Sequence, residues 1–200
     1  AIPSGAEDYT IDQSLRFEDG DSAYLSRTPS SAGDRKTFTI SFWLKPEKVD
    51  EASSHGWWWT AKYADDWWDN IAFYQNKFQI ENHHNGGTRS KLRTTQVFRD
   101  PSSWYHCLFY VDTTDTTSGD RLRIYINGER VTVFDIETDP GLNDEWVTNQ
   151  SGSPIDIGRS TAYAGSYYAD GYLAEFHFID GTALTPSSFG ETDSDTNQWK

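Results

Sequence analysis

Leu122-Arg-Ile-Tyr-Ile-Asn-Gly-Glu-Arg-Val-Thr-Val-Phe134 is the stretch whose reading decides the fold. Apolar and polar residues alternate on both sides of Asn127-Gly128. Period 2 is the repeat of a strand with one buried face. Asn-Gly supplies the two positive-φ residues of a type I′ turn, so Leu122–Ile126 and Val131–Phe134 read as a hairpin. The same period runs outward in both directions. Thr37-Phe-Thr-Ile-Ser-Phe-Trp-Leu44 sets Phe38, Ile40, Phe42 and Leu44 on one face and stops at Pro46, which has no N–H for a ladder. Trp104–Asp112 is a long aromatic strand with Tyr105, Cys107, Phe109 and Val111 on one face. Leu15–Phe17 and Ala23–Leu25 flank Glu18-Asp-Gly-Asp21 and read as a hairpin or a pair of short strands. Gly56–Tyr63, Ile71–Tyr74, Phe78–Glu81, Ile155–Ile157 and Tyr172–Ile179 complete the set. Helical periodicity is confined to one turn at Pro186–Phe189, with Thr185 as N-cap.

This pattern predicts an all-β fold, an antiparallel jelly-roll sandwich of two packed sheets. It spans residues 1–190, and residues 191–200 read as a polar acidic tail or linker. The expected core is Phe38, Ile40, Phe42, Leu108, Ile124, Ile126, Leu173 and Phe178.

Composition narrows the function. Net charge is −14, from 31 acidic and 17 basic side chains. The richest basic stretch, Arg89-Ser-Lys91-Leu-Arg93, is too short to track phosphates, so nucleic acid is excluded as a partner. No apolar run approaches the roughly 18–20 residues of a membrane span, so membrane insertion is not expected. Aromatic residues make up 16%, which argues against disorder and for a ring-rich core. The single Cys107 excludes an internal disulfide framework and reads as a buried, inert thiol. No basic-then-apolar leader is present, so no signal peptide is expected, and the absence of Met even at position 1 predicts a processed product or a domain cut from a larger chain.

Three segments in order resemble the laminin-G-like jelly roll of the concanavalin A-like lectin/glucanase superfamily. They are Phe17–Leu25 with Phe38–Pro46, Trp104-Tyr-His106 with Arg123–Glu129, and Ile155–Gly158 with Gly171–Phe176 and Ala183-Leu184. Within it, Ser14–Phe17, Tyr24–Arg27, Thr94–Pro101, Asp170–Glu175, Phe178–Gly181 and Pro186–Glu191 resemble versions found in bacteriophage tail-fibre and other virion proteins. The resemblance implies two antiparallel sheets and an extracellular or virion-surface setting. It transfers no ligand, because folds of this kind host many functions.

Candidate sites emerge from residue chemistry. Sugar rings stack on flat aromatic faces while carboxylates and amides bond hydroxyls. Trp67, Trp68, Asp65, Asp66, Asp69 and Asn70 supply that chemistry in what reads as one loop, and His83 and His84 could join them. These tryptophans could equally fill an aromatic core or a subunit contact. Asp19 and Asp21 sit in an oxygen-rich loop suited to calcium, with Asp170 coming close if the terminal strands pair; several relatives in the superfamily hold calcium in such loops. Asp112, Asp115 and Asp120 form a second acidic loop. Short acids in such loops also cap turns through their own backbone. Superfamily enzymes carry Glu-x-Asp-x-x-Glu on one strand; the matching strand reads Glu175-Phe-His177-Phe-Ile-Asp180, and Glu175 lacks its acidic partner. No enzyme is expected. The expectation is a non-catalytic surface module that binds host polysaccharide, or else packs against other virion subunits, in either case as a possible homo-oligomer.

Overall fold

A computed structural model describes residues 13–49, 56–162 and 167–200. Two antiparallel sheets carry most of the strands among these residues. One has six strands: β1 (Leu15–Phe17), β15 (Gly171–Asp180), β3 (Thr37–Pro46), β8 (Tyr105–Asp112), β9 (Leu122–Ile126) and β10 (Glu129–Arg130), in that spatial order. The other has seven, in the order β11 (Phe134–Thr138), β7 (Gly87–Thr94), β6 (Lys77–His84), β5 (Trp67–Tyr74), β4 (Trp57–Ala64), β12 (Ile155–Ile157) and β2 (Leu25–Arg27). The short pair β13 (Arg159–Ser160) and β14 (Tyr167–Tyr168) stands apart. Among the described residues helix is limited to 3-10 turns at Ser118–Asp120 and Pro186–Ser188; Thr185 takes the N-cap position of the second, as read from the sequence, but its side chain makes no capping hydrogen bond.

The inner faces meet in one core. Phe38, Ile40, Phe42 and Leu44 of β3 lie against Cys107, Phe109 and Val111 of β8, and opposite them stand Trp59, Ile71, Phe78 and Ile80 of the seven-stranded sheet. Trp59 stacks on Phe176 and Phe178 at 5.8 and 5.2 Å, and Phe176 stacks on Phe42 at 5.6 Å. Cys107 is completely buried, and desolvation pushes its thiol pKa well up.

A bulge explains how β15 serves this core. Strict alternation would put Leu173 and Phe178 on opposite faces. The register with β3 shifts between Ala174 and His177, and Glu175 takes φ +47°. The extra residue turns Phe176 and Phe178 inward beside Leu173. Phe178 is nonetheless only half-buried, because it lines a cavity of about 450 Å³ between the sheets. Leu108 is fully buried but on the outward face of β8, in a small cluster with Tyr110 and Tyr125 capped by Ala183 and Phe189.

Other expectations need correction. Leu15–Phe17 and Leu25–Arg27 are a pair of short strands but belong to different sheets, so they form no hairpin. Asn127-Gly128 does turn a hairpin, with φ of 49° and 80°. Its second strand ends at Arg130, and the chain then crosses to the other sheet, where Phe134–Thr138 pairs with β7. Alternation also fails at Trp57-Trp58-Trp59: β4 is bulged there, and Trp58 joins Trp59 in the core, edge-on to Phe17 at 5.8 Å. Gly56 makes this possible, with φ +97° and the Trp58 indole nitrogen 2.7 Å from where a Cβ would stand. Residues 191–200 fold back on the outer face: Glu191 and Lys200 exchange two backbone hydrogen bonds of 2.9 Å, and Trp199 covers Gly128.

Phe42 is fully buried between Phe109 and Phe176. Phe42→Ala is expected to cost roughly 3–5 kcal/mol in chemical denaturation through the cavity it leaves; a loss below about 1 kcal/mol would show that the inter-sheet packing closes around it.

Candidate functional site

Strands β4 to β7 form a continuous meander. The β4–β5 turn at Asp65-Asp66 and the β6–β7 turn at Asn85-Gly86 lie at the same end of the sheet. The first turn is tight, so Trp67 and Trp68 open β5 and are not loop residues. Strand alternation then divides the residues read as one recognition loop. Trp67 and Asp69 face the inner side with His84, whereas Trp68 and Asn70 face outward with His83. Asp65 and Asp66 are exposed in the turn.

The inner-side group opens into a cleft of about 330 Å³. Trp67 is half-buried in its wall; its Nε1 donates to Asn85 Oδ1 at 3.0 Å, and the His84 ring stands perpendicular to it with centroids 3.6 Å apart. Facing them is the 143–147 loop, held by Arg35, which donates to the Trp146 carbonyl and to Glu145, both at 2.7 Å. Arg89 of β7 is exposed at the mouth and makes no hydrogen bond or ion pair with the described residues. His84 Nε2 is buried without a partner among the described residues, and desolvation, with Arg89 second, lowers its pKa. No sequence pattern marks Arg35, Arg89, Asn143, Asp144 and Glu145 as one site. Alternation along β7, where Ser90, Leu92 and Thr94 are buried, would send Arg89 outward with Lys91; the register shift that pairs Asn82 with Ser90 but His83 with Thr88 leaves Arg89 as an extra residue, and it lines the inner cleft instead.

Asp69 lies beneath this cleft, fully buried. Its carboxylate accepts from Asn82 Nδ2 at 2.6 Å and from the Thr148 N–H at 2.5 Å. It is an anchor for the 143–148 loop, not a group open to a ligand.

The outward face carries a different pattern. Trp68 stacks flat on His83, with centroids 4.5 Å apart and planes within 2°. Beside them a polar row crosses four strand pairs in register: Asp156, Thr60, Asn70, Glu81, Lys91. Glu81 is satisfied by Thr88 and Lys91, both at 2.7 Å, and Asp156 binds Arg159. Asn70 is fully buried, and neither amide atom is bonded among the described residues.

Among the acids suggested for calcium, Asp19 and Asp170 do converge, joined by Glu18; their oxygens lie within 4.8 Å of one another. Asp21 is exposed and outside the group. Lys48 Nζ sits between them, 2.5 Å from Asp19 and 2.8 Å from Asp170. In the second acidic loop Asp112 accepts from the Thr114 N–H at 3.0 Å, and Asp115 and Asp120 pair with Arg123. Those acids are turn formers and ion-pair partners. Glu175 is exposed at its bulge.

The Laminin_G_3 family model, described as the concanavalin A-like lectin/glucanases superfamily, matches residues 19–188. No curated protein sequence matches the chain. Solved structures do. The heptameric SAP-like pentraxin from Limulus polyphemus is similar at a TM-score of 0.60 and 14% identity, over 88% of this chain and 78% of that one. Domain 4 of AbnA, an extracellular arabinanase from Geobacillus stearothermophilus in complex with arabinotriose, gives 0.55 and 18%, over 80% and 67%. The CBM40 of the Ruminococcus gnavus IT-sialidase, bound to α2,3 sialyllactose, gives 0.54 and 12%, over 82% and 95%. At such identities the likeness shows the fold alone.

The buried Asp69 has a pH signature. Burial raises its folded-state pKa from 3.8 to about 6, outweighing its hydrogen bonds. Between those values the unfolded chain has released the proton and the native state still holds it, so this contribution to stability falls as pH rises and levels off above about 6. The loss is on the order of 3 kcal/mol. In urea titrations from pH 4 to 7, the stability of Asp69→Asn relative to wild type is expected to climb with pH by that order; a flat difference would mean that Asp69 is ionised throughout.

Proposed function

Because the chain belongs to the concanavalin A-like lectin/glucanases superfamily, we propose that it is a non-catalytic glycan-binding module whose sugar site is the Trp67 cleft. The observation that carries the reading is the pairing of a half-buried indole with a guanidinium that has no partner among the described residues, in one open cleft. The indole offers an apolar face for a sugar ring. Arg89 offers donors that no described residue engages, so a hydroxyl or carboxylate of the ligand gains a charge-assisted bond. The cleft is of monosaccharide size and its rim is polar, with Asn143 and Asp144 opposite Trp67. That the AbnA domain and the CBM40 are described in complex with arabinotriose and sialyllactose supports sugar binding on this sandwich.

Catalysis is not part of the proposal. Glycoside hydrolysis needs two free carboxyl groups facing one bond. In the cleft, Glu145 is paired with Arg35 and Asp144 accepts from the Gly141 N–H at 2.7 Å. The likeness of Ser14–Phe17, Thr94–Pro101 and Pro186–Glu191 to tail-fibre domains supports extending the proposal to a virion-surface setting, with host polysaccharide as the ligand.

A glycan array probed with the wild-type protein identifies the sugar, and Trp67→Ala and Arg89→Ala test the site. Each is expected to weaken binding about tenfold or more, with the oligomeric mass and melting temperature kept by Arg89→Ala. Binding unchanged in both variants would move the site elsewhere. A drop in mass by light scattering in Trp67→Ala would make this surface a subunit contact, the other role open to these aromatics.

A further inference from the structure

We propose that the Glu18–Asp19–Asp170 site takes the chain's own Lys48 ammonium as its resident cation, and that the protein therefore folds and works without a divalent ion there. This inference is independent of the glycan reading.

The sheet register builds the site. β1, β15 and β3 are antiparallel neighbours, with Phe17 paired to Gly171 and Gly171 to Pro46. Glu18 and Asp19 come just after β1, Asp170 precedes β15, and Lys48 comes after β3, so all four arrive at one end of the sheet. Gly171 fits the close approach that this requires: at φ +144°, a Cβ would stand 2.5 Å from the Lys45 carbonyl oxygen. The Glu47 N–H donates to the Asp170 carbonyl at 3.2 Å and fixes the chain just before Lys48.

Three carboxylates this close would repel one another without a cation between them. Calcium would ask for about six to eight oxygens at 2.3–2.6 Å. Here the Lys48 ammonium already takes one oxygen each from Asp19 and Asp170. Glu18 is drawn off to Arg16 at 3.3 Å and to the Gly20 N–H at 3.4 Å. Asp170 is buried, with 5% of its side chain exposed, so an entering ion would have to displace the ammonium and not merely join it. The residues thus suit an internal ammonium better than a bound metal.

The test is the melting temperature of metal-stripped protein in chelator and in millimolar calcium. Wild type is expected to melt within about 1 °C in both. Lys48→Met should melt lower in chelator and recover several degrees in calcium, because the vacated carboxylates then bind the ion to the native state alone. Lys48→Arg keeps a cation and should stay indifferent to calcium. If Lys48→Met folds only when calcium is present, the proposal is equally supported. A calcium-dependent rise of several degrees in wild type would overturn it, as would a Lys48→Met variant that melts like wild type in chelator and ignores calcium.

Discussion

Ring-on-ring contact between the two sheets is the interaction on which the rest depends. Trp59 from the seven-stranded sheet lies against Phe176 and Phe178 from the six-stranded one, and Phe176 carries the stack on to Phe42. Hydrophobic residues make up only 36% of the chain. A sandwich built from so few must bury much area per residue, and aromatic side chains bury roughly 150–250 Å² each. Because rings are rigid, the sheets are held at a fixed spacing, and the loops at their ends inherit that geometry. The Trp67 cleft exists because Asp69 on β5 can reach the Thr148 N–H across that spacing.

The sequence disclosed what local rules govern. Thr37–Leu44 and Trp104–Asp112 became β3 and β8 with the expected inner faces, because nothing interrupts their alternation. Asn127-Gly128 became a hairpin turn because positive φ at both positions is a local demand. The hidden features depend on one extra residue or on distant pairing. The bulges at Trp58 and Glu175 each reverse the facing of the strand residues beyond them, and no pattern in their own segment announces them. Trp67 and Trp68 looked like loop residues because two acids precede them, yet a two-residue turn leaves them on a strand and on opposite faces. Arg35, Arg89 and Glu145 are far apart in sequence and meet only once the 143–147 loop closes on β6 and β7. Lys48 was invisible as a partner for Asp170 for the same reason, since it takes the β3–β15 register to join them.

The acidity of the chain has a structural use as well. Asp34 accepts from the Lys36 and Thr37 N–H groups, Asp112 from Thr114, and Asp193 from Asp195 and Thr196. A carboxylate in each of these loops satisfies backbone donors that the sheets leave over. These acids thus serve the connections between short strands and need no cationic ligand to account for them. The polar row from Asp156 to Lys91 is the exception, for it lies on strands, and Asn70 within it is buried with its amide bonded to none of the described residues. Such a group costs stability, and nothing in the β5–β6 ladder requires an amide there.

Cys107 turns the centre of the sandwich into a chemical clock. It is the one sulfhydryl in the chain, and it is sealed between β3 and β9 with no exposed surface. A thiol reagent can reach it only after those strands part. When reclosing is faster than labelling, the pace of modification reports how often the sheet opens. A single unlabelled protein thereby carries its own probe of sheet opening.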